Sequence, residues 1–385
     1  MARGEKPYRV YRGGRAKGKV PLQRRVEREP RDGRVRSRPS PVVPPPPTPS
    51  RRGRNWGRRV VIGLILLILV LLAWGVASYL ALSRAVEGAN ERLGPVALDE
   101  QSGLLMSEPS TILLLGTDHG PAPGRENARR SDSIMLVRTD PTRGRTAFLS
   151  IPRDLRVDVP GRGTAKINAA YQLGGAPLAV RTIKSFTGLR VNHVVVVDFQ
   201  NFVQLVDALG GVRIDVPEPI LSNKFECPYT PQRCETWDGW RFRAGKQRMN
   251  GRRALVYSRV RENRLNPAEN DLTRGERQQA VVRAIGDKVT SPSTALKMPV
   301  LADDLVDPLA TDLSAGQFMQ LGWVKVRSGT TLRCRLGGTP SEIGGESYLI
   351  GAEENRNVIL MFLGVSAPQP PPPGTGLYGP GCVTR

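Results

Sequence analysis

Aspartate and arginine occur together in compact clusters beside short apolar runs. One cluster is LLLGTD, which ends in Asp118. The next is RRSD, with Arg130 and Asp132, and a third is SIPRD, with Arg153. Residues at the ends of buried strands gather at one edge of an open α/β sheet, where such sheets bind ligands. Guanidinium groups bind phosphate oxygens in pairs, and Mg²⁺ combines a few carboxylates with phosphate oxygens. The clusters therefore predict a site for a phosphate-bearing substrate and Mg²⁺.

Two later clusters carry more arginines. Tyr257, Arg259 and Arg261 form the pattern Y-x-R-x-R, whose arginines share one side only if the backbone is extended there. A helix predicted over residues 272–289 has a second set at its start: Asp271, Arg274, Arg277 and Gln278. Steps of three and four residues place the last three of these on one helix face. Each Asp–Arg pair alone is more often a surface ion pair worth at most about 1 kcal/mol, so the hypothesis depends on the combination.

Several well-known catalytic motifs are absent from the sequence. It contains no GxxxxGK[ST] phosphate loop, no GxSxG nucleophile turn and no HExxH zinc motif. Its only histidines are His119 and His193. Serine–histidine catalysis and zinc hydrolysis therefore lack the residues that they need.

The elements that must position these residues alternate between strand and helix. Short apolar runs bounded by Gly, Pro and Asp predict largely buried strands at residues 111–115, 134–138, 148–151 and 194–197. Helical spacing predicts helices at residues 177–187 and 199–209, the second capped by Asp198. This alternation predicts an α/β fold with a mixed central β-sheet flanked by helices on both faces.

The N-terminal part of the chain differs sharply in composition. Residues 1–59 hold 19 Lys and Arg against 4 Asp and Glu and include a proline run, which predicts a disordered basic arm. Residues 60–82 carry no charge over 23 positions, enough for a transmembrane helix that stays as an uncleaved anchor. Arginines crowd its N-terminal side, which predicts a cytoplasmic N-terminus and an extracytoplasmic domain of a single-pass membrane protein. A linker is expected at residues 83–107, the domain at 108–365, and a loose Pro/Gly-rich tail at 366–385.

Four cysteines fit an exported domain. Cys227 and Cys234 bracket a short proline-containing loop, and we expect them to form a disulfide, although four cysteines allow three pairings. A zinc site and unpaired buried thiols are the competing interpretations.

Seven ordered blocks of this sequence resemble the LytR-CpsA-Psr family. They are LLLGTD, RSDSIMLV, FLSIPRDLRVDVPG, KINAAYQLGG, VVVVDFQNFVQLVDALGGV, the pattern G-x-Q-x-M-N-G-x-x-A-L-x-Y-x-R-x-R, and DLTRGERQQ. The motifs span residues 108–290, and the similarity continues more loosely to about residue 365. The N-terminal arm and single apolar helix are also typical of that family.

The resemblance implies a phosphotransferase. Such an enzyme moves a glycopolymer, as a sugar phosphate, from a polyprenyl-pyrophosphate carrier to a peptidoglycan hydroxyl, usually with Mg²⁺. It implies that Asp118 and Asp132 hold the metal. It also implies that six arginines and two further polar residues bind the pyrophosphate: Arg130, Arg153, Arg259, Arg261, Arg274 and Arg277, with Asp271 and Gln278. It implies that Arg153, Asp118 and Arg259 are catalytic residues. The family commonly has an arginine where this chain has Gly120, and Arg125 is a candidate replacement.

Two other functions are compatible with the same residues. A binding or regulatory protein could hold anionic wall polymer or prenyl lipid without turnover. A membrane-bound transcriptional regulator would use the basic arm, but the arm lacks a folded reader or interleaved aromatic residues, so nucleic acid is not the expected partner. Anionic membrane lipid is the simpler partner for that arm.

Overall fold

A computed structural model describes residues 56–117, 131–266, 271–373 and 379–384, with side chains except at residues 271–273. Its strands, in chain order, are β1 Ser110–Thr117, β2 Ser131–Asp140, β3 Arg145–Ile151, β4 Arg156–Val159, β5 Gly163–Lys166, β6 His193–Asp198, β7 Val212–Val216, β8 Ile220–Leu221, β9 Arg241–Phe242, β10 Gly245–Met249, β11 Leu309–Thr311, β12 Thr330–Arg335, β13 Gly338–Ile343, β14 Glu346–Gly351 and β15 Gly381–Thr384. The four predicted strands lie within β1, β2, β3 and β6.

The helices follow the same alternation. They are α1 Trp56–Leu93, α2 Ala169–Thr187, α3 Phe199–Ala208, α4 Pro231–Glu235, α5 Gly251–Arg259, α6 Asp271–Val289, α7 Pro292–Leu296, α8 Met298–Val306, α9 Ala315–Arg327 and α10 Asn355–Leu363. Asp198 caps α3 as predicted, because its carboxylate accepts a hydrogen bond of 2.8 Å from the Asn201 N–H. The predicted helix over residues 272–289 is α6.

The central sheet has seven strands in the order β11-β6-β1-β2-β3-β12-β15. β1 is parallel to β6 and antiparallel to β2, and β3 is parallel to β12, so the sheet is mixed as predicted. One face packs against α2 and α10 through a cluster that includes Leu113, Leu136, Ile183 and Phe362. The other face packs against α6, whose Gly275 approaches Ser150 so closely that a Cβ would lie 3.3 Å from its side chain.

Helix α1 is longer than the apolar run that predicted it. In the described part of the chain it is the one helix long and apolar enough to cross a membrane, and it continues to Leu93. Its second half packs on the domain, with Leu82, Val86 and Ala89 buried against Ala302 and Val306 of α8. The predicted linker at 83–107 is therefore wrong for its first part, because apolar side chains at helical spacing continue the helix after the uncharged stretch has ended.

The C-terminal segment is also more ordered than predicted. Residues 381–384 form β15, the last strand of the sheet, which pairs antiparallel with β12. A disulfide joins Cys334 of β12 to Cys382 of β15. The prediction of a loose tail over 366–385 is wrong for this strand, because backbone pairing and a covalent link fix a segment whose composition alone is typical of a tail.

Candidate active site

Strand ends bring Asp132 and Arg153 together. β1 ends at Thr117, which pairs with Ser131 at the start of β2, and Asp132 follows directly. β3 pairs with β2 and ends at Ile151, so Arg153 emerges beside Asp132. An Arg153 Nη1–Asp132 Oδ1 distance of 2.6 Å joins the two side chains, and Arg153 Nε donates to Asp154 Oδ2 at 3.2 Å. Two of the three strand-end clusters thus meet in one ion-pair network.

Helix α6 places Arg274 and Gln278 beside this network. A cavity of about 120 Å³, here called the polar pocket, is lined by both of them together with Asp132, Arg153 and Asp154. The Ser133 hydroxyl donates a hydrogen bond of 3.0 Å to Gln278 Oε1. Arg274 is only 7% exposed. A buried guanidinium beside a small polar space is suited to an anion, because the charge is poorly screened there.

A larger space of about 490 Å³, here called the apolar cavity, adjoins the polar pocket. The two spaces share Asp132, Arg274 and Gln278. Most of the remaining wall is apolar and comes from the sheet, α3 and α6, including Leu114, Met135, Val195, Phe202, Val281 and Ile285. The geometry therefore combines a charged end with a long apolar compartment, which is the shape that an amphipathic phosphate ester requires.

Arg259 and Arg261 both line the apolar cavity, although α5 ends at Arg259 and the chain leaves the helix at Val260, with φ −56° and ψ 120°. Arg259 forms an ion pair with Glu226 and lies over the Phe199 ring, with 4.5 Å between guanidinium carbon and ring centroid. Glu226 has a positive φ of 46°, which is unusual for a residue other than glycine. Arg259 is helical, so the condition of an extended backbone is not met there, yet the two arginines still line one space.

The segment at residues 221–240, here called the cavity-wall segment, contributes to the wall of the apolar cavity. Asn223 and Phe225 line it, and the Trp240 indole N–H donates to the Phe225 carbonyl at 3.1 Å. The predicted disulfide between Cys227 and Cys234 is present next to Glu226. Because all four cysteines are paired, the zinc and free-thiol interpretations are wrong.

Arg277 lies on another face of α6. Its guanidinium is almost fully buried and donates to the Val260 carbonyl at 2.8 Å, between Arg259 and Arg261 in the chain. It lines a separate groove of about 840 Å³, here called the charged groove, together with Tyr257. The prediction that Arg274, Arg277 and Gln278 share one helix face is wrong, because Arg277 and Gln278 are adjacent in sequence and project about 100° apart around the helix axis. Its geometry suits a residue that positions the Arg259–Arg261 backbone.

Three of the predicted site residues cannot be placed. Asp118 and Arg130 lie outside the described residues, as do Gly120 and Arg125. Asp271 is the first residue of α6, but its side chain is outside the description. Their predicted roles stay predictions.

Sequence reasoning missed two cations beside the polar pocket. Lys166 lies with its Nζ 3.8 Å from Asp154 Oδ1 and over the Tyr348 ring. Arg335 lines the pocket and donates to the Gly379 carbonyl at 2.9 Å. Burial lowers the pKa of Arg335 and Glu276 opposes this, but an arginine remains charged at neutral pH. Lys166 belongs to the KINAAY block, and its place in that motif is the sequence signal that could have identified it as a site residue. Arg335 lies in none of the motifs, so the sequence carried no signal for it.

The Mg²⁺ hypothesis stays a prediction. The described residues contain no group of three or more His, Cys, Asp or Glu arranged to hold a metal ion. Mg²⁺ needs only one or two protein carboxylates when phosphate oxygens and water complete its coordination. Asp132 is partly exposed in the polar pocket and is a ligand of the right type, and Asp118 follows Thr117, the strand partner of Ser131.

Comparison with known proteins gives a consistent picture. The teichoic acid transferase TagU of Enterococcus faecalis, named for transfer from polyisoprenyl-teichoic acid to peptidoglycan, is 32% identical over 66% of this chain and 78% of its own length. Regulatory protein MsrR of Staphylococcus aureus is 30% identical over 66% of this chain and 70% of its own. A solved structure described as TagT bound to LIIa-WTA is 26% identical, with a TM-score of 0.55 over 70% of this chain and 97% of that one. The sequence model of the LytR_cpsA_psr family matches residues 80–358, and the chain belongs to that family.

Proposed function

We propose that this chain is a membrane-anchored phosphotransferase that moves a glycopolymer from a polyprenyl-pyrophosphate carrier to a hydroxyl of peptidoglycan. The observation that carries the proposal is the shared wall of the two spaces. Arg274, Gln278 and Asp132 line both the polar pocket and the apolar cavity. A prenyl chain in the cavity therefore brings its diphosphate to Arg153 and Arg274. The activity named for the TagU relative agrees with this reaction class.

The reaction needs positioning and charge stabilisation more than covalent catalysis. The acceptor oxygen bonds to the phosphorus that carries the sugar, and the bond from that phosphorus to the bridging oxygen breaks. Polyprenyl phosphate leaves, and the hydroxyl proton passes to a base. Negative charge accumulates on the phosphate oxygens, so fixed guanidinium groups lower the barrier. Arg153 and Arg274 are already held in place and mostly buried, so little reorganisation is needed when substrate binds.

The base is a carboxylate of the same pocket. Asp154 lines the polar pocket and is held between Arg153 Nε at 3.2 Å and Lys166 Nζ at 3.8 Å. Two cations fix its orientation while leaving it a third exposed to the pocket. Asp118 is the alternative base, but a carboxylate that holds a metal is a poor proton acceptor.

Mg²⁺ is the proposed cofactor, held by Asp132 and Asp118. When bound it supplies charge that offsets the diphosphate. The Arg153–Asp132 pair would then orient the carboxylate toward the ion. An Asp132→Asn variant should need a higher Mg²⁺ concentration for half-maximal rate, whereas the same dependence in wild type and variant would remove Asp132 from the metal site.

The proposed location is the cell membrane, with the N-terminus in the cytoplasm and the domain outside. The uncharged residues 60–82 lie in α1, where residues 60–73 are all exposed, and arginines precede them. Anionic membrane lipid is the proposed partner of the basic arm, and nucleic acid is not.

The test is turnover by the full chain in lipid vesicles. A polyprenyl-pyrophosphate-linked oligosaccharide and uncapped peptidoglycan are supplied with Mg²⁺, and release of polyprenyl phosphate is followed together with attachment of label to peptidoglycan. Acceptor-dependent release that stops on chelation is expected. Tight binding of the lipid without release under any metal or acceptor would reject the enzyme and favour a regulatory protein, the second candidate, which the MsrR relative supports.

A further inference from the structure

The contact between α1 and the domain begins inside the uncharged stretch of α1. Trp74, Ser78, Leu82, Ala85 and Ala89 recur at intervals of three and four residues and form the face turned toward the domain. At the start of this face, the Trp74 indole N–H donates to the Leu296 carbonyl at 3.1 Å. The end of α7 is therefore fixed at the level of Trp74.

That level lies inside the hydrocarbon layer if α1 crosses a membrane. Leu82, the last residue of the uncharged stretch, is eight residues beyond Trp74, or about 12 Å along a helix axis. A hydrocarbon core about 30 Å thick takes about 20 helical residues counted from the arginines at the inner end, which puts its outer boundary near residue 80. Placing the boundary at Trp74 instead would leave only about 21 Å of uncharged helix. The Leu296 backbone is then roughly 8–12 Å below the outer boundary.

The surface at this depth is apolar and has no protein cover in the described structure. Leu296 is 72% exposed and Val300 is 80% exposed. Charge returns on α8 at Asp303, about 10 Å beyond Leu296, and on α1 at Arg84, about 15 Å beyond Trp74, so both helices become charged further from the inner end of α1. Ser293 and Lys297 are the exposed polar exceptions, and the long Lys297 side chain can reach the headgroups while its stem stays among acyl chains.

We propose that the α7–α8 segment, residues 292–300, inserts into the outer leaflet of the bilayer, with Leu296 and Val300 among the acyl chains. Its partner is the lipid itself. This inference rests on the part of the proposed function that has α1 crossing the membrane, and not on the chemistry. Two exposed aliphatic side chains add a few kcal/mol of membrane affinity to a helix that already anchors the chain, so their main effect is to orient the domain.

The insertion places the apolar cavity beside the lipid. Met298 and Leu301 pack in a small cluster with Leu205, Ile285 and Leu309, and these last three also line the apolar cavity. One layer of side chains thus separates the inserted segment from the cavity. A prenyl chain in the apolar cavity then lies one layer of side chains away from the acyl chains of the outer leaflet.

Spin labels on the full chain test this depth. All four native cysteines are in disulfides, so single substitutions Leu296→Cys, Val300→Cys, Ile68→Cys and Val365→Cys each introduce one free thiol. Ile68 marks the middle of the uncharged stretch, and Val365 is a matched control that is 72% exposed on another part of the domain. The labelled proteins are reconstituted in vesicles of zwitterionic and anionic phosphatidyl lipids. Collisions with oxygen, which concentrates in lipid, are compared with collisions with a water-soluble nickel chelate.

The ratio of oxygen collisions to chelate collisions should be similar for the labels at positions 296, 300 and 68. At 296 and 300 this ratio should be at least several-fold higher than at position 365. Labels at 296 and 300 that match position 365, while 68 remains in lipid, would overturn the insertion and leave the anchor intact. Labels shielded from both reagents would also overturn it, because a second copy of the chain would then cover the segment. A chain that passes this test but shows no turnover would refute the transferase alone.

Discussion

Helix α6 separates two spaces of opposite character. On one side Arg274, Gln278, Val281 and Ile285 face the apolar cavity, where the described lining has four charged residues, three of them arginines. On the other side Glu276, Arg277, Arg283 and Asp287 face the charged groove, where seven basic residues alternate with four acidic ones. The groove is the larger of the two, about 840 against 490 Å³. Size alone would therefore select the charged groove and not the space proposed here for the prenyl chain.

The difference lies in how deeply each charge is buried. Arg153 and Arg274 are mostly buried in the polar pocket that adjoins the apolar cavity, where Coulomb interactions are strong. Arg213 and Arg283 are exposed in the charged groove and are screened by water and salt. Arginines of the same chemistry thus have different capacities to stabilise a diphosphate, and the following experiments compare them.

The largest expected effect comes from Arg153. Arg153→Ala should lower kcat/KM for the lipid-linked substrate by about 10³-fold or more, because it removes a preorganised cation from the reacting phosphate. Arg283→Ala in the charged groove is the matched control and should change the rate less than about twofold. Steady-state kinetics of both variants, with circular dichroism to confirm folding, make the comparison. Equal losses in the two variants would mean that charge in either space serves the reaction.

A bulky residue in the apolar cavity should act on binding. Val282→Trp fills part of the space that the prenyl chain needs, so KM for a long-chain substrate should rise about 10- to 100-fold while a short-chain analogue is less affected. Arg283→Trp, one residue along and on the groove side, is the control. The measurement is KM against prenyl length. A loss independent of chain length would place the tail elsewhere.

The Glu226–Arg259 ion pair should produce a smaller change. Glu226 occupies Arg259, and an incoming diphosphate must compete with it. Glu226→Gln should therefore lower KM about three- to tenfold with kcat nearly unchanged. Asp215→Asn, which neutralises an acid in the charged groove, should leave KM unchanged. A higher KM for Glu226→Gln would show that Glu226 orients Arg259 for binding and does not block it.

The smallest expected effect is on stability and concerns neither space. Burial raises the pKa of Asp99, but hydrogen bonds from Lys184 Nζ at 2.7 Å and the Val191 N–H at 2.8 Å outweigh burial and leave that pKa below its usual value. A carboxylate with a lowered native pKa stabilises the fold above its unfolded pKa of about 3.9, and this contribution is lost as the pH falls through the native value. Asp99→Asn should lower the free energy of unfolding by about 1 kcal/mol at pH 7.

Denaturant unfolding of wild type and Asp99→Asn between pH 3 and pH 7 measures this contribution. The difference should shrink below about pH 4, and kcat/KM at pH 7 should be the same for both proteins. A difference that stays constant with pH would assign the effect to lost packing.

Local sequence signals predicted most of the elements that carry the site. Apolar runs bounded by Gly, Pro or Asp located β1, β2 and β3, and the helical spacing and the Asp198 cap located α3. The convergence of Asp132 with Arg153 followed from strand ends meeting at one sheet edge. In each case a short segment contained the information that determines its structure.

Other features depend on contacts that no single segment records. Arg277 turns away from Arg274 because it is buried under the Val260 carbonyl, which belongs to another helix end. Residues 381–384 become a strand because β12 offers an edge and Cys334 offers a disulfide partner. Glu226 reaches Arg259 only because the cavity-wall segment, residues 221–240, packs beside the apolar cavity. Helical period and composition cannot predict such long-range pairings.

A structure of the chain with a bound polyprenyl pyrophosphate tests the central claim most directly. We predict that the diphosphate lies within hydrogen-bond distance of Arg153 and Arg274 and that the prenyl chain runs between α3 and α6 through the apolar cavity. A diphosphate bound beside Arg213 and Arg283 in the charged groove, with the cavity empty, would contradict the account.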